Sequence, residues 1–365
     1  MRTHYQKQRS PHCGSPRAGI RAGGRLQALA VTAALLLGSA SMNAADWRVC
    51  ATDDNDAGCD MRGYPGLQLA VDRAADGDQI TLGPGIYHPE EFIDVGFEEL
   101  VIRGGVLVES KTLEIRGEPG AILDGRQGPP VSGILIHNAE VLLSGLEIRS
   151  FRLGEAEDDL YDGHGIFIIN SKVSVRDTRL SQLPKMSVSI FGDSKVTLTR
   201  VQVLNGHVGV WAEGTALVKI ENSIFSNNDS ASVAAYANTR TDIYNSVFEN
   251  SQDDGVYARE NASVQVVNST FIGNKPYAIR AEEDATITVN YSNFYANEAL
   301  FFPEVESAQL TVGDSIYQVN LQLDAEYRPA KTSQPPAGDP AIRNRDGTVS
   351  NVGLYGGPSA PRNNQ

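Results

Sequence analysis

Short alternations of apolar and polar residues fill most of the chain. In "GVYARENASVQVVNSTFIGN", which starts at Gly255, Val256 and Ala258 share one face while Tyr257 and Arg259 take the other. Val264, Val266 and Phe271 supply a second apolar set. Such period-two runs, broken by Gly, Asn, Asp and Ser, predict short strands joined by turns. The runs also recur. Phe225, Phe248, Phe271 and Phe294 stand 23 residues apart, and Ser223, Ser246, Ser269 and Ser292 keep the same step. Val203 and Leu180 extend the phase backwards. A unit this short cannot bury its own core, so the period predicts an all-β parallel solenoid in which each strand pairs with its copy one rung away. The four Phe residues then form an internal stack, and Asn222, Asn245 and Asn268 an amide ladder whose members satisfy one another. Helical spacing occurs at Leu67, Val71 and Ala74, ahead of Asp76-Gly77, and predicts a short capping helix at the front.

The phase sorts side chains by direction. Ile166, Val188, Val210, Val233, Val256 and Ile279 fall at one inward column. The next position points out and carries Phe167, Ser189, Trp211, Ala234, Tyr257 and Arg280. Two further along come Ile169, Phe191, Glu213, Tyr236, Arg259 and Glu282. One face is therefore expected to present Phe167, Phe191, Trp211, Tyr236 and Tyr257, with Arg280 beside them, as a surface for stacking sugar rings. Burial of these aromatics under long loops or the tail is the alternative.

The first 45 residues hold six basic side chains, no acidic one and the apolar run "LQALAVTAALLLGSA". This predicts a cleaved export signal and a periplasmic or extracellular location. The run is shorter than the ~20 residues of a membrane span. The chain without its signal has 25 basic against 45 acidic residues, a net charge of about −20. That argues against nucleic acid, and against anionic polymers unless a local basic patch or a bound cation compensates. Cys50 and Cys59 remain in "CATDDNDAGC", and in an exported chain they are expected to form a local disulfide. Residues 46–325 are read as solenoid plus cap, and 326–365 as a Pro/Gly-rich closing segment. The oligomeric state is not legible.

Candidate chemistry gathers at two places. "EAEDDLYDGHGIF" interrupts the rungs before Ile166, and Asp158, Asp159 and Asp162 offer calcium ligands or, with His164, acid–base groups. At the head of the outward strand, Lys185 and His207 fall in register with Asp253, next to Asp254 and near Arg259. Together they supply cations for a sugar carboxylate and a base for its α-proton.

The segment "LQLAVDRAADGDQITLGPGIYHP", the rungs, and the tail "DPAIRNRDGTVSNVGLYGGP" resemble secreted bacterial right-handed parallel β-helix proteins of the pectin-lyase-like architecture. The resemblance covers about Trp47 to Pro358 and implies the fold. It leaves the activity open among lyases, hydrolases, epimerases, esterases and non-catalytic proteins. "GHG" is similar to a polygalacturonase motif and puts His164 beside catalytic acids, but the Asn-Thr-Asp-Gly of those enzymes is missing. The Asp-Pro-His-Asp of mannuronan epimerases and the Arg-x-Pro-x-x-Arg of pectate lyases are missing too. The expectation is a polysaccharide-associated protein with lyase or epimerase chemistry on uronate-containing glycans, or else a non-catalytic module binding glycan or a protein partner through the aromatic face.

Overall fold

A computed structural model describes residues 44–54, 57–97, 100–154, 160–303, 309–313 and 315–362. The expected export signal, Asp158 and Asp159 fall outside them, apart from the signal's last two residues. Among the described residues the strands form three sheets of 12, 10 and 11 strands, parallel throughout except for one antiparallel strand, Ile93–Phe97, in the third. One rung shows the plan: Lys195–Thr199 lies in the first wall, Gln202–Leu204 in the second and Val208–Ala212 in the third. Each strand pairs with its copy in the next rung, so backbone hydrogen bonds run along the stack.

The predicted columns hold. Ile166 is in register with Val188, then Val210, Val233, Val256 and Ile279, all fully buried in one continuous apolar core. In the second wall Phe225, Phe248, Phe271 and Phe294 stack with centroids 5.1, 4.7 and 4.9 Å apart. The turn between first and second walls places Asn222, Asn245 and Asn268 at φ of 48°, 49° and 54°. Asn tolerates this left-handed conformation better than most residues, which accounts for its recurrence there.

The amide ladder does not pair with itself. Asn222 Nδ2 donates to the carbonyls of Leu354 and Gly356 at 2.6 and 2.7 Å, and Asn245 Nδ2 to that of Asn351 at 2.8 Å. Asn268 Oδ1 accepts from the Asp339 amide at 2.8 Å. Serine links the rungs instead: the amides of Ser223, Ser246 and Ser269 each donate to the next rung's serine Oγ at 3.2 Å. The tail runs back along the flank of the rungs, where Leu354, Tyr327 and Tyr355 cover Ile224 and Val247 on the outside of the second wall.

At the front, helix Gly63–Arg73 buries Leu67, Ala70 and Val71 against the first rungs, with Ala74 buried just beyond. Lys111 Nζ donates to the carbonyls of Val71, Asp72 and Ala74, so a cation sits on the negative end of the helix. Cys50 and Cys59 form the expected disulfide. Strand Ile93–Phe97 pairs antiparallel with Leu100–Glu109 and lays Val95 and Phe97 over the outside of the third wall.

Candidate functional site

That antiparallel strand divides the expected aromatic face. Phe167 points outward in register with Ser189, as read from the sequence, yet it is fully buried. It stacks on Phe191 at 5.1 Å, and Phe97 meets Phe191 edge-on at 6.0 Å. Ile102, Leu135 and Ile169 complete the cluster. Phe167 is thus corrected from a sugar-stacking surface to a packing residue, and Phe191 is half-covered. The hairpin does this because it buries the outermost apolar residues of the early rungs.

The later rungs stay open. Trp211 and Tyr236 are half-buried and stack at 4.2 Å, and Tyr236 meets Tyr257 edge-on at 5.6 Å. The small Ala234 lies in register between Trp211 and Tyr257, which leaves room for the Tyr236 ring. The strip continues beyond the sequence reading. Arg280 lies over Tyr257 at 5.4 Å and over Phe302 at 5.5 Å, and Tyr277 stacks on Phe302 at 4.6 Å. Phe302 pairs with Arg280 one rung on, so extending the outward column by one more step would have found it.

Charged groups gather at the same end. Tyr257 donates its hydroxyl to Glu282 Oε2 at 2.6 Å. Arg280 forms an ion pair with Glu282 and lies 3.7 Å from Asp254 Oδ2. Arg259 pairs with Glu283 at 2.6 Å and reaches Glu282 at 3.8 Å. Asp254 is 2% exposed and Glu282 4%. Burial, reinforced by the Asp253 carboxylate, pushes Asp254 up to about 7, against the pull of Arg280 and of the Tyr277 amide. Burial raises Tyr257, and the Glu282 carboxylate that accepts its proton raises it further. Burial opposes the charge of Arg280, but Asp254 and Glu282 hold it protonated.

The other expected site residues do not join this group. His164 is fully buried, with its Nδ1 2.6 Å from Ser189 Oγ and its ring edge-on to Phe167 at 5.0 Å. Burial, and then the charge of Lys185, push it down to about 3, so it is a neutral packing residue and not a rim acid–base group. His207 pairs with Asp229. The Lys185 carbonyl accepts from the amide of Val208, placing Lys185 a rung before His207. Three rungs separate Lys185 from Asp253–Arg259, about 14 Å at strand spacing. The expected catalytic set therefore splits: of its members only Asp254 and Arg259 stay in one cluster, linked through Glu282 and Arg280, the latter expected as a binding residue.

For calcium, Asp162 is the described member of the expected trio. It is buried, and its Oδ2 accepts the Gly154 amide at 2.8 Å. Among the described residues the one close group of three metal-ligating side chains is Cys50, Asp54 and Cys59, whose sulfurs are already joined to each other.

Residues 132–299 match the family described as right handed beta helix region. The fold is similar to that of pectate lyase Pel9A, with a TM-score of 0.52, 12% identity, and coverage of 89% of this chain and 94% of that one. An alginate lyase from Paenibacillus sp. str. FPU-7 matches with a TM-score of 0.41 and 14% identity over 74% of this chain and 99% of that one. No curated protein sequence matches the chain. The chain is a right-handed parallel β-helix with the pectin-lyase-like fold.

Proposed function

We propose that the protein is exported and takes a polysaccharide along the outside of its third wall, with uronate-containing glycans the class to test first. The observation that carries this is the half-open strip of Trp211, Tyr236 and Tyr257 running into Arg259 and Arg280. Flat aromatic faces suit the apolar faces of sugar rings, and guanidinium groups suit hydroxyls and carboxylates. The resemblance to a pectate lyase fold supports the same reading. In the lyase or epimerase form, Asp254 is the proton-exchanging group, because a carboxyl near 7 both accepts and returns a proton at neutral pH. Arg259 and Arg280 oppose the charge that develops on the sugar carboxylate.

A second reading, a binding module without turnover, is favoured by one feature. Both arginines are already engaged by Glu282, Glu283 or Asp254, and Asp254 and Glu282 are almost wholly covered. Incubation of the purified protein with pectate, alginate and neutral polymers, with and without calcium, separates the two. Unsaturated sugar or a changed epimer content that disappears in Asp254→Asn and Arg259→Ala identifies the enzyme. Retention that depends on Trp211, with no product from any polymer, identifies the module. Neither retention nor product refutes both.

A further inference from the structure

The first wall carries acidic side chains, Glu114, Glu140 and Asp242 among them, but its basic ones outnumber these along one stretch. Its outer face is a concavity of about 910 Å³ whose lining includes Lys172, Arg176, Lys195, Lys219 and Arg240. The register lines several of these up. Lys172 pairs with Lys195, Lys195 with Leu217, and Leu217 with Arg240, on four successive rungs. At strand spacing that column spans about 14 Å.

Three features give this face a character of its own. Lys172 and Lys195 are directly opposed like charges, which neighbouring strands ordinarily avoid. Both are exposed, and Lys195 has no side-chain partner among the described residues. The ion pairs nearby, Lys172 with Glu140, Lys219 with Glu221 and Arg240 with Asp242, are at the surface and easily exchanged for others. Leu217, 45% exposed, adds an apolar step within the column. All this lies on a protein whose whole chain carries a net charge of −14.

We infer that the first wall is a second glycan surface, one that holds a linear polyanionic polysaccharide along the Lys172–Lys195–Leu217–Arg240 column. Charge complementarity selects the occupant. A narrow run of cations on a chain of net negative charge accepts a single slender anionic strand, and the chain's overall charge repels a broad one such as duplex nucleic acid. Leu217 offers contact to the apolar face of a sugar between two cationic steps. This surface is separate from the third-wall strip and does not depend on it.

The test uses affinity electrophoresis of the purified protein in gels containing polygalacturonate or alginate, with dextran as the neutral control. The variants are Lys195→Glu/Arg240→Glu, the milder Lys195→Gln/Arg240→Gln, and Trp211→Ala. Circular dichroism and thermal midpoints report whether each is folded. The expected result is retardation by the acidic polymers that weakens steeply with salt and falls about tenfold or more in the charge-reversed variant. The Gln variant falls in between, and Trp211→Ala keeps the salt-sensitive component. Acidic-polymer retention that is unchanged in both first-wall variants, or that ignores salt, overturns the inference. So does a salt-sensitive self-association that those variants abolish while polymer binding persists.

Discussion

The hydroxyl of Tyr257 lies 2.6 Å from Glu282 Oε2, although 25 residues separate them in sequence. The contact exists because the rungs stack in register, which places Tyr257 beside Arg280 and puts Glu282 two residues beyond on the same face. The third-wall site rests on that stacking: a half-open aromatic strip leading into two arginines and two covered carboxyls.

Asp254 should make stability depend on pH. Its folded pKa of about 7 is above the ~3.9 of an unfolded Asp, so the folded state binds the extra proton between these values. Stability from this group is full below about pH 4 and is lost as pH rises through about 7. Asp254→Asn keeps a neutral side chain and suits the φ of 74°. The variant should flatten that slope and gain stability relative to wild type above neutrality, by a few kcal/mol at most. Thermal midpoints across pH check this; parallel curves for the two proteins contradict it.

His164 works in the opposite sense. Its folded pKa of about 3 is below the ~6.5 of an unfolded His, so the unfolded state takes up the proton first as pH falls. Its contribution is present above about 6.5 and is lost toward 3. Ring-proton NMR should show no titration of His164 between about pH 5 and pH 8. A midpoint near 6.5 means that the ring is solvated.

Truncating the phenylalanine stack at its centre, Phe248→Ala, should cost about 3–5 kcal/mol, and Phe248→Leu much less. Solenoid rungs lean on their neighbours, so the loss should spread to the rungs on either side. Chemical denaturation and hydrogen exchange read both effects. A cost below about 1 kcal/mol would falsify the stack as a structural column.

Asn245→Ala removes donors to Ser350, Asn351 and Gly353 and places Ala at a left-handed φ. The tail should then lose protection and become the first site of proteolysis, with the rungs still folded. Unchanged protection of residues 349–356 contradicts the tail-binding role.

Much of the fold was legible because it repeats. The 23-residue step gave the inward column, the outward column and the phenylalanine stack, and helical spacing gave the cap. What the repeat could not give are the contacts that depart from it. Strand Ile93–Phe97 pairs antiparallel and outside the stacking order, so nothing in the rungs announced that it would bury Phe167. The tail is irregular, and it draws the Asn222, Asn245 and Asn268 amides that periodicity alone assigned to one another. The register put Asp254, Arg259 and Arg280 near together, but the covering of Asp254 and the pairing of both arginines depend on side-chain conformations that a period does not specify.

Glycan binding by the open third-wall strip is read out by retention on a polysaccharide panel. The Lys195→Glu/Arg240→Glu protein is compared with the same protein carrying Trp211→Ala or Tyr257→Ala, so that first-wall binding does not contribute. At least one polymer should retard the background protein and release it on either aromatic substitution. Equal mobility of all three proteins in every polymer would contradict it.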